Sequence, residues 1–395
     1  MDIAKIRADT LGCADKIFLN SAGASLMSQT VVGQMTDYLK LEEQFGGYEV
    51  ANTKTAEINA FYSETGTLLH CPPKHIAFMY NATDAYSKAL SAIPFAAGDS
   101  ILTTNDDYIS NHIAFLSLQK RLGIKIWRTK NLPNGDIDFN DFEQLAKTHR
   151  PKLVAITHVP TNSGLVQDAE TAGAICSQYG IWYLLDACQS IGQLEVDVQK
   201  IKCDFLSATG RKFLRGPRGT GFLYVSNRVI DEKLEPLFID MRGAEWTSFD
   251  TYEVQMSATR FEEWEFSYTG LVGLTEAVRY ANDIGLDAIQ AYNKVLAQKL
   301  RANLAQIPRV KVLDRGGRLS SIVTFHLDGI ALEPLCLLLK QHTVRHSVTH
   351  KQHARFDLSD KGVDWVIRFS PHYFNTLEEI EQASAIVGEI AANLD

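Results

Sequence analysis

Between residues 76 and 225, short apolar runs of three to five residues alternate with longer segments whose apolar positions recur every three or four residues. Short uninterrupted apolar runs predict strands buried on both faces, and the longer periodic segments predict amphipathic helices. Strands are expected over 76–79, 100–103, 125–127, 153–157, 181–185, 205–207 and 221–225, with helices over 84–93, 111–122, 139–148 and 169–179. The alternation predicts an α/β fold built on a doubly wound, mainly parallel sheet. Beyond Leu271 the pattern changes. One long helical stretch runs from Leu271 to about Ile307. Strands near 311–313 and 321–326, a helix over 332–341, a strand over 365–369 and a closing helix over 377–393 follow. Two parts are expected: an N-terminal segment with a large ligand-binding domain (1–270), then a bridging helix with a smaller C-terminal α/β domain (271–395).

Composition narrows the partners. The chain has 395 residues, enough for two domains, and a net charge of −8 that is unsuited to nucleic acid. No apolar stretch is long enough to span a membrane, and the N-terminus lacks a signal-peptide core. The six cysteines are scattered without metal-ligand spacing, which suits a reducing cytoplasm and reads as small buried residues. No metal site is expected.

The chemistry lies where strands end. Ligands of open α/β sheets sit at the carboxyl ends of the strands. The apolar run before Asp186-Ala187-Cys188-Gln189 puts Asp186 there. A second short run leads to Thr209-Gly210-Arg211-Lys212 and a glycine-rich turn. A lysine that can hold an aldehyde, with a carboxylate to pair a pyridinium nitrogen, is the protein signature of pyridoxal 5′-phosphate. Gln189 is suited to the phenolic oxygen, and Thr209 and Arg211 to the phosphate. Asn81-Ala82-Thr83-Asp84 opens a helix, whose free N–H groups also suit a phosphate; an ordinary N-cap accounts for it equally well. Tyr108 is placed to lie over a ring, or simply to face solvent beside a capping loop. Arg368, inside the apolar strand 365–369, needs an anionic partner. A substrate carboxylate or a structural salt bridge fits it equally. Any one of these residues alone has a bland explanation; their joint order does not.

These motifs resemble the class V aminotransferase family of fold-type I pyridoxal phosphate enzymes, which includes cysteine desulfurases and selenocysteine lyases. Asp186-Ala187-Cys188-Gln189 is similar to the family's Asp-Ala-x-Gln, and Thr209-Gly210-Arg211-Lys212 to its Ser-Gly-His-Lys. The resemblance implies that Lys212 carries the cofactor and that Asp186 pairs with its ring nitrogen. It gives Gln189 the phenolic oxygen, Thr83, Thr209 and Arg211 the phosphate, and Tyr108 the place of a ring-stacking histidine. Arg368 matches the arginine that receives the substrate α-carboxylate. Asp84 and Asn162 fall in cofactor-binding motifs, and Asn20 and Tyr48 in substrate-binding ones. The family forms homodimers with active sites at the interface, so a homodimer acting on a small amino acid is expected, with part of the 260–269 segment approaching the neighbour's phosphate.

Desulfurases carry a mobile cysteine in the loop before the matching arginine. In this chain the stretch from Gln341 to Gly362 contains His342, His346, His350 and His353 but no cysteine. Within the family, Gly46-Gly47-Tyr48-Glu49, Thr157-His158-Val159-Pro160-Thr161-Asn162-Ser163-Gly164 and the run from Arg211 to Gly219 resemble hercynylcysteine sulfoxide C–S lyases and isopenicillin-N-epimerase-like proteins. The expected activity is β-elimination of a cysteine derivative. An aminotransferase or epimerase on the same cofactor, or a non-catalytic cofactor-binding protein, are the alternatives. The four histidines are candidates to protonate a leaving group or simply line a polar surface loop.

Overall fold

A computed structural model describes residues 1–394 of the chain. Its central sheet has seven strands in the order Ile76–Met79, Gly221–Val225, Phe205–Thr209, Trp182–Asp186, Leu153–Thr157, Ser100–Thr103 and Lys125–Arg128. Gly221–Val225 runs antiparallel to both neighbours, and the other adjacent pairs are parallel. The uninterrupted apolar runs have a physical reason. Tyr183 and Leu185 pack into one core cluster while Trp182 and Leu184 pack into another, and Val154 and Ile156 separate from Leu153 and Ala155 in the same way. Successive side chains of a strand point to opposite faces, and here both faces are covered.

The C-terminal sheet has four antiparallel strands in the order Val310–Val312, Val323–Leu327, Trp365–Phe369 and Ser347–His350. Two features differ from expectation. The single long helix is two, Tyr268–Ile284 and Leu286–Ala305, divided at Gly285, whose φ of +90° no helix accommodates. The segment with the four histidines is not simply a loop: Ser347–His350 pairs with Trp365–Phe369, with Ser347 opposite Arg368.

The N-terminal strand Ile17–Phe18 pairs in parallel with Val344–Arg345, and Asn20 bridges to Ser370. This brings residues 18–25 over the carboxyl edge of the central sheet, where Ser25 N–H donates to the Arg211 carbonyl at 2.8 Å. A separate hairpin, Ala244–Ser248 with Thr251–Val254, projects from the fold; Trp246 and, at its turn, Phe249 are exposed. No described helix is long and apolar enough to cross a membrane.

Candidate active site

Asp186 closes its strand at the carboxyl edge of the sheet, buried, with Thr157 beside it in register. Its Oδ1 accepts from Cys188 N–H at 3.0 Å and its Oδ2 from Asn111 Nδ2 at 3.1 Å. Asn111 lies in the first turn of the helix Ile109–Leu122, which brings it across from a distant part of the chain. Gly221 pairs with Thr209 at the same edge, and a Cβ there would lie 2.4 Å from the Ala208 carbonyl and 3.1 Å from Asn81 C. The missing side chain lets the Asn81 loop settle against the sheet. Asn81 Oδ1 caps the helix Ala82–Ala92, accepting from Asp84 N–H at 3.0 Å.

Together these elements enclose a cavity of about 180 Å³ lined by Ala82, Thr83, Tyr108, Thr157, Thr161, Asp186, Cys188, Gln189, Thr209, Arg211 and Lys212, among others. Lys212 is buried, its Nζ 5.9 Å from the centre of the Tyr108 ring, and no carboxylate forms an ion pair with it among the described residues. Burial pushes its ammonium down, the thiol of Cys188 and the carboxylate of Asp186 draw it back, and Arg211 and Arg368 push it down further. A larger share of free amine, the form that condenses with an aldehyde, results.

The sequence-derived residues divide into two groups. Thr83, Tyr108, Asp186, Gln189, Thr209, Arg211 and Lys212 converge on the cavity. Gln189 Nε2 donates to the Ala22 carbonyl at 3.0 Å and to Thr161 Oγ1 at 2.8 Å, while its Oε1 is buried without a partner. Arg211 donates to the Gly23 carbonyl. Arg368 stands one residue layer away. It is buried, and its Nη1 donates to the Thr161 carbonyl at 2.8 Å and to the Thr161 hydroxyl, its Nε to Ser347 Oγ at 2.9 Å. No carboxylate pairs with it among the described residues. Burial, then the nearby Arg211, push it down to about 10.

The second group lies off the cavity. Asn162 Nδ2 donates to Asp357 at 2.7 Å, Asp84 turns to the Tyr80 N–H and Lys88, and Tyr48 is 72% exposed. Asn20 has a buried Oδ1 with no partner. Of the 260–269 segment, Arg260 is turned inward and donates to the carbonyls of Gln255, Leu234, Ile230 and Val229. None of the four histidines lines the cavity, and the described residues hold no cluster of three or more metal-ligating side chains. Thr161, Asn111 and Cys188 join the site without having been singled out for it; Cys188 stands inside the Asp186 motif, while the partners of Thr161 and Asn111 lie far away in the sequence.

An amine, a carboxylate at strand depth and a helix N-terminus meet in one cavity, with a buried amide oxygen lacking a partner and a buried lysine lacking an ion pair among the described residues. These residues fit pyridoxal 5′-phosphate: Lys212 would hold its aldehyde carbon, Asp186 its ring nitrogen, and Thr83, Thr209 and Arg211 its phosphate.

Comparison with known proteins agrees. A relative from Methanothermobacter thermautotrophicus described as a probable cysteine desulfurase is 29% identical over 393 residues, covering 98% of this chain and 97% of the relative. Another so described, from Pyrococcus abyssi, is 25% identical, covering 98% of each. The apo structure of a cysteine desulfurase from Thermococcus onnurineus superposes with a TM-score of 0.92 at 26% identity, covering 100% of this chain and 99% of that one. The model of the family described as aminotransferase class-V matches residues 17–383, and the chain belongs to that family of pyridoxal-phosphate-dependent enzymes.

Proposed function

We propose that this enzyme cleaves the Cβ–S bond of a cysteine derivative by β-elimination, without passing sulfur to a loop cysteine. The observation that carries the reading is the 341–362 segment. It has no cysteine, and its Ser347, paired opposite Arg368, accepts the Arg368 Nε–H at 2.9 Å. Relatives described as desulfurases share the fold, so the difference lies in where the sulfur goes. Cys188 is a poor sulfur acceptor: it is buried, and burial followed by the Asp186 charge pushes its thiol well up, away from the reactive thiolate.

The bound cofactor supplies a sink for the electron pair released at Cα. Arg368 would hold the substrate α-carboxylate, Tyr108 would cover one face of the cofactor ring, and Gln189 would meet its phenolic oxygen. Lys212 would remove the Cα proton; burial pushes its ammonium down, and the free amine that results is suited to that task. The Cβ–S bond breaks, sulfur leaves with its electron pair and takes a proton as a thiol, and water completes the balance to pyruvate and ammonia. No oxidant or reductant is required.

The cofactor-holding part is assigned to residues 1–270 and the carboxylate-binding arginine to 271–395. Membership of the family and the exposed side chains of Phe238, Met241, Trp246 and Phe249 support a homodimer; a monomer in sedimentation velocity would refute it. Six free cysteines are in keeping with a cytoplasmic enzyme.

The test is pyruvate release by purified, cofactor-loaded enzyme from cysteine, S-substituted cysteines, their sulfoxides and non-sulfur amino acids. Pyruvate from the sulfur compounds alone supports the reading. No pyruvate, with deuterium exchange at Cα or conversion of the cofactor to its amine form, replaces it with epimerisation or transamination.

A further inference from the structure

A second buried carboxylate lies behind Asp186. Asp107 is 4% exposed, and its Oδ1 accepts from Tyr108 N–H at 2.7 Å, from Asn111 Nδ2 at 2.9 Å and from the Thr157 hydroxyl. Its Oδ2 accepts from the Thr103 hydroxyl at 2.8 Å. The same Asn111 Nδ2 donates to Asp186 Oδ2 at 3.1 Å. An amide nitrogen carries two hydrogens, and its two shorter contacts here are to different carboxylates, with the Thr157 hydroxyl oxygen farther off at 3.5 Å. Neither Asp107 nor Asp186 forms an ion pair with a lysine or arginine among the described residues. If the Asn111 amide turned over, its carbonyl oxygen would face two carboxylates, so Asp107 locks the orientation in which Asn111 supports Asp186. Asn111 is the only side-chain nitrogen that donates to Asp186 among the described residues.

We propose that Asp107 is a positioning residue for the cofactor: through Asn111 it fixes Asp186, and it sets a second negative charge behind the carboxylate assigned to the ring nitrogen. The inference rests on the cofactor assignment made above. A negative charge nearby favours the protonated form of a neighbouring base, so the pair holds the ring nitrogen protonated at higher pH than Asp186 would alone. The other groups facing this pair are Lys212 and Cys188 beside Asp186, His112 from the Asn111 helix, Arg128 from the edge strand and Tyr86 from the helix Ala82–Ala92. Burial raises the Asp107 carboxyl above the ordinary carboxylate range, opposed by His112 and by the hydrogen bonds from Thr157, Asn111 and Thr103.

The experiment uses the full-length enzyme loaded with pyridoxal phosphate carrying ¹⁵N in the ring. The nitrogen resonance is followed across neutral and alkaline pH in wild type, D107N and N111A, and cofactor affinity is measured by equilibrium dialysis. In both variants the nitrogen should lose its proton at lower pH than in wild type, and the cofactor should bind about tenfold more weakly, the effect of removing one hydrogen bond to a charged group. A wild-type titration and affinity retained in folded variants would overturn the inference while leaving the cofactor assignment intact. Wild type that binds no cofactor would overturn both. N111A leaves both carboxylates in place and carries the test should D107N not fold.

Discussion

Thr161 is tied to both halves of the site: its carbonyl and hydroxyl both accept from Arg368 Nη1, and its hydroxyl also accepts from Gln189 Nε2 at 2.8 Å. One residue therefore sets the distance between the arginine assigned to the substrate carboxylate and the glutamine assigned to the cofactor. Thr161→Val keeps the shape and the carbonyl but removes the hydroxyl from two buried donors. It should raise KM by about tenfold, in line with about 1–3 kcal/mol for a buried donor left unsatisfied. Steady-state kinetics that match wild type would show that the hydroxyl links nothing that matters to turnover.

Arg368 lacks an acidic partner among the described residues although it is buried, which is costly unless something negative arrives. Arg368→Ala should raise KM for an α-amino acid by the loss of a charge-assisted pair, about 2–5 kcal/mol. Arg368→Lys retains the charge but loses the planar fork, and should recover only part of that loss. Kinetics unchanged in Arg368→Ala would make the residue structural.

Lys212 is assigned the covalent link to the cofactor. Lys212→Ala should abolish the visible absorption band of the loaded enzyme and eliminate turnover, while circular dichroism stays that of wild type. A band of wild-type position and strength in Lys212→Ala would move the attachment to another lysine.

His158 follows Thr157 at the end of its strand and is held neutral. Burial, with Arg318 acting in the same direction and Asp168 against it, pushes it down to about 4. In the unfolded chain a histidine titrates near about 6.5. As pH falls below that value the unfolded state takes up a proton that the native state refuses until about 4, so stability from this group is full above the unfolded value and drains away on acidification. His158→Gln cannot take up that proton. Urea unfolding at about pH 7 and about pH 5 should find wild type losing about 2 kcal/mol relative to His158→Gln over that interval. A difference independent of pH would mean that His158 is not held neutral in the fold.

Four central strands end where the apolar runs end: Ile76–Met79, Ser100–Thr103, Leu153–Thr157 and Gly221–Val225. They were legible because both of their faces are covered, which leaves no charged position to interrupt the run. Ser347–His350 was not, because it lies at an edge of the smaller sheet and its side chains are polar or half-exposed. The division at Gly285 was hidden because apolar spacing continues across it on both sides. In the site, Asp186 and Lys212 could be recognised because each sits next to its strand in a short motif. Asn111 and Thr161 could not, since Asn111 reaches Asp186 across 75 residues and Arg368 reaches Thr161 across 207. Local pattern carries no record of such pairings. Asn162 shows the reverse: its motif pointed to the cofactor, while its amide meets Asp357.

Cys188 is the one cysteine lining the cavity, and so the one place where sulfur transfer to the protein could still be sought. Its backbone N–H donates to Asp186 Oδ1 at 3.0 Å, a contact that does not depend on the side chain. Cys188→Ala keeps that backbone contact and removes one small buried side chain, so sulfur release should stay within about threefold of wild type. A Cys188→Ala enzyme that binds cofactor but releases no sulfur would assign the thiol a chemical role.

The most direct measurement is the fate of the carbon skeleton. Cofactor-loaded wild type is given a cysteine derivative without added reductant, and alanine and pyruvate are quantified together. β-Elimination predicts pyruvate and ammonia in equal amounts, matched by released thiol, with no alanine. Alanine as the main product, with sulfur retained on the protein, would contradict the proposed reaction and make this chain a desulfurase that uses a thiol outside the 341–362 segment.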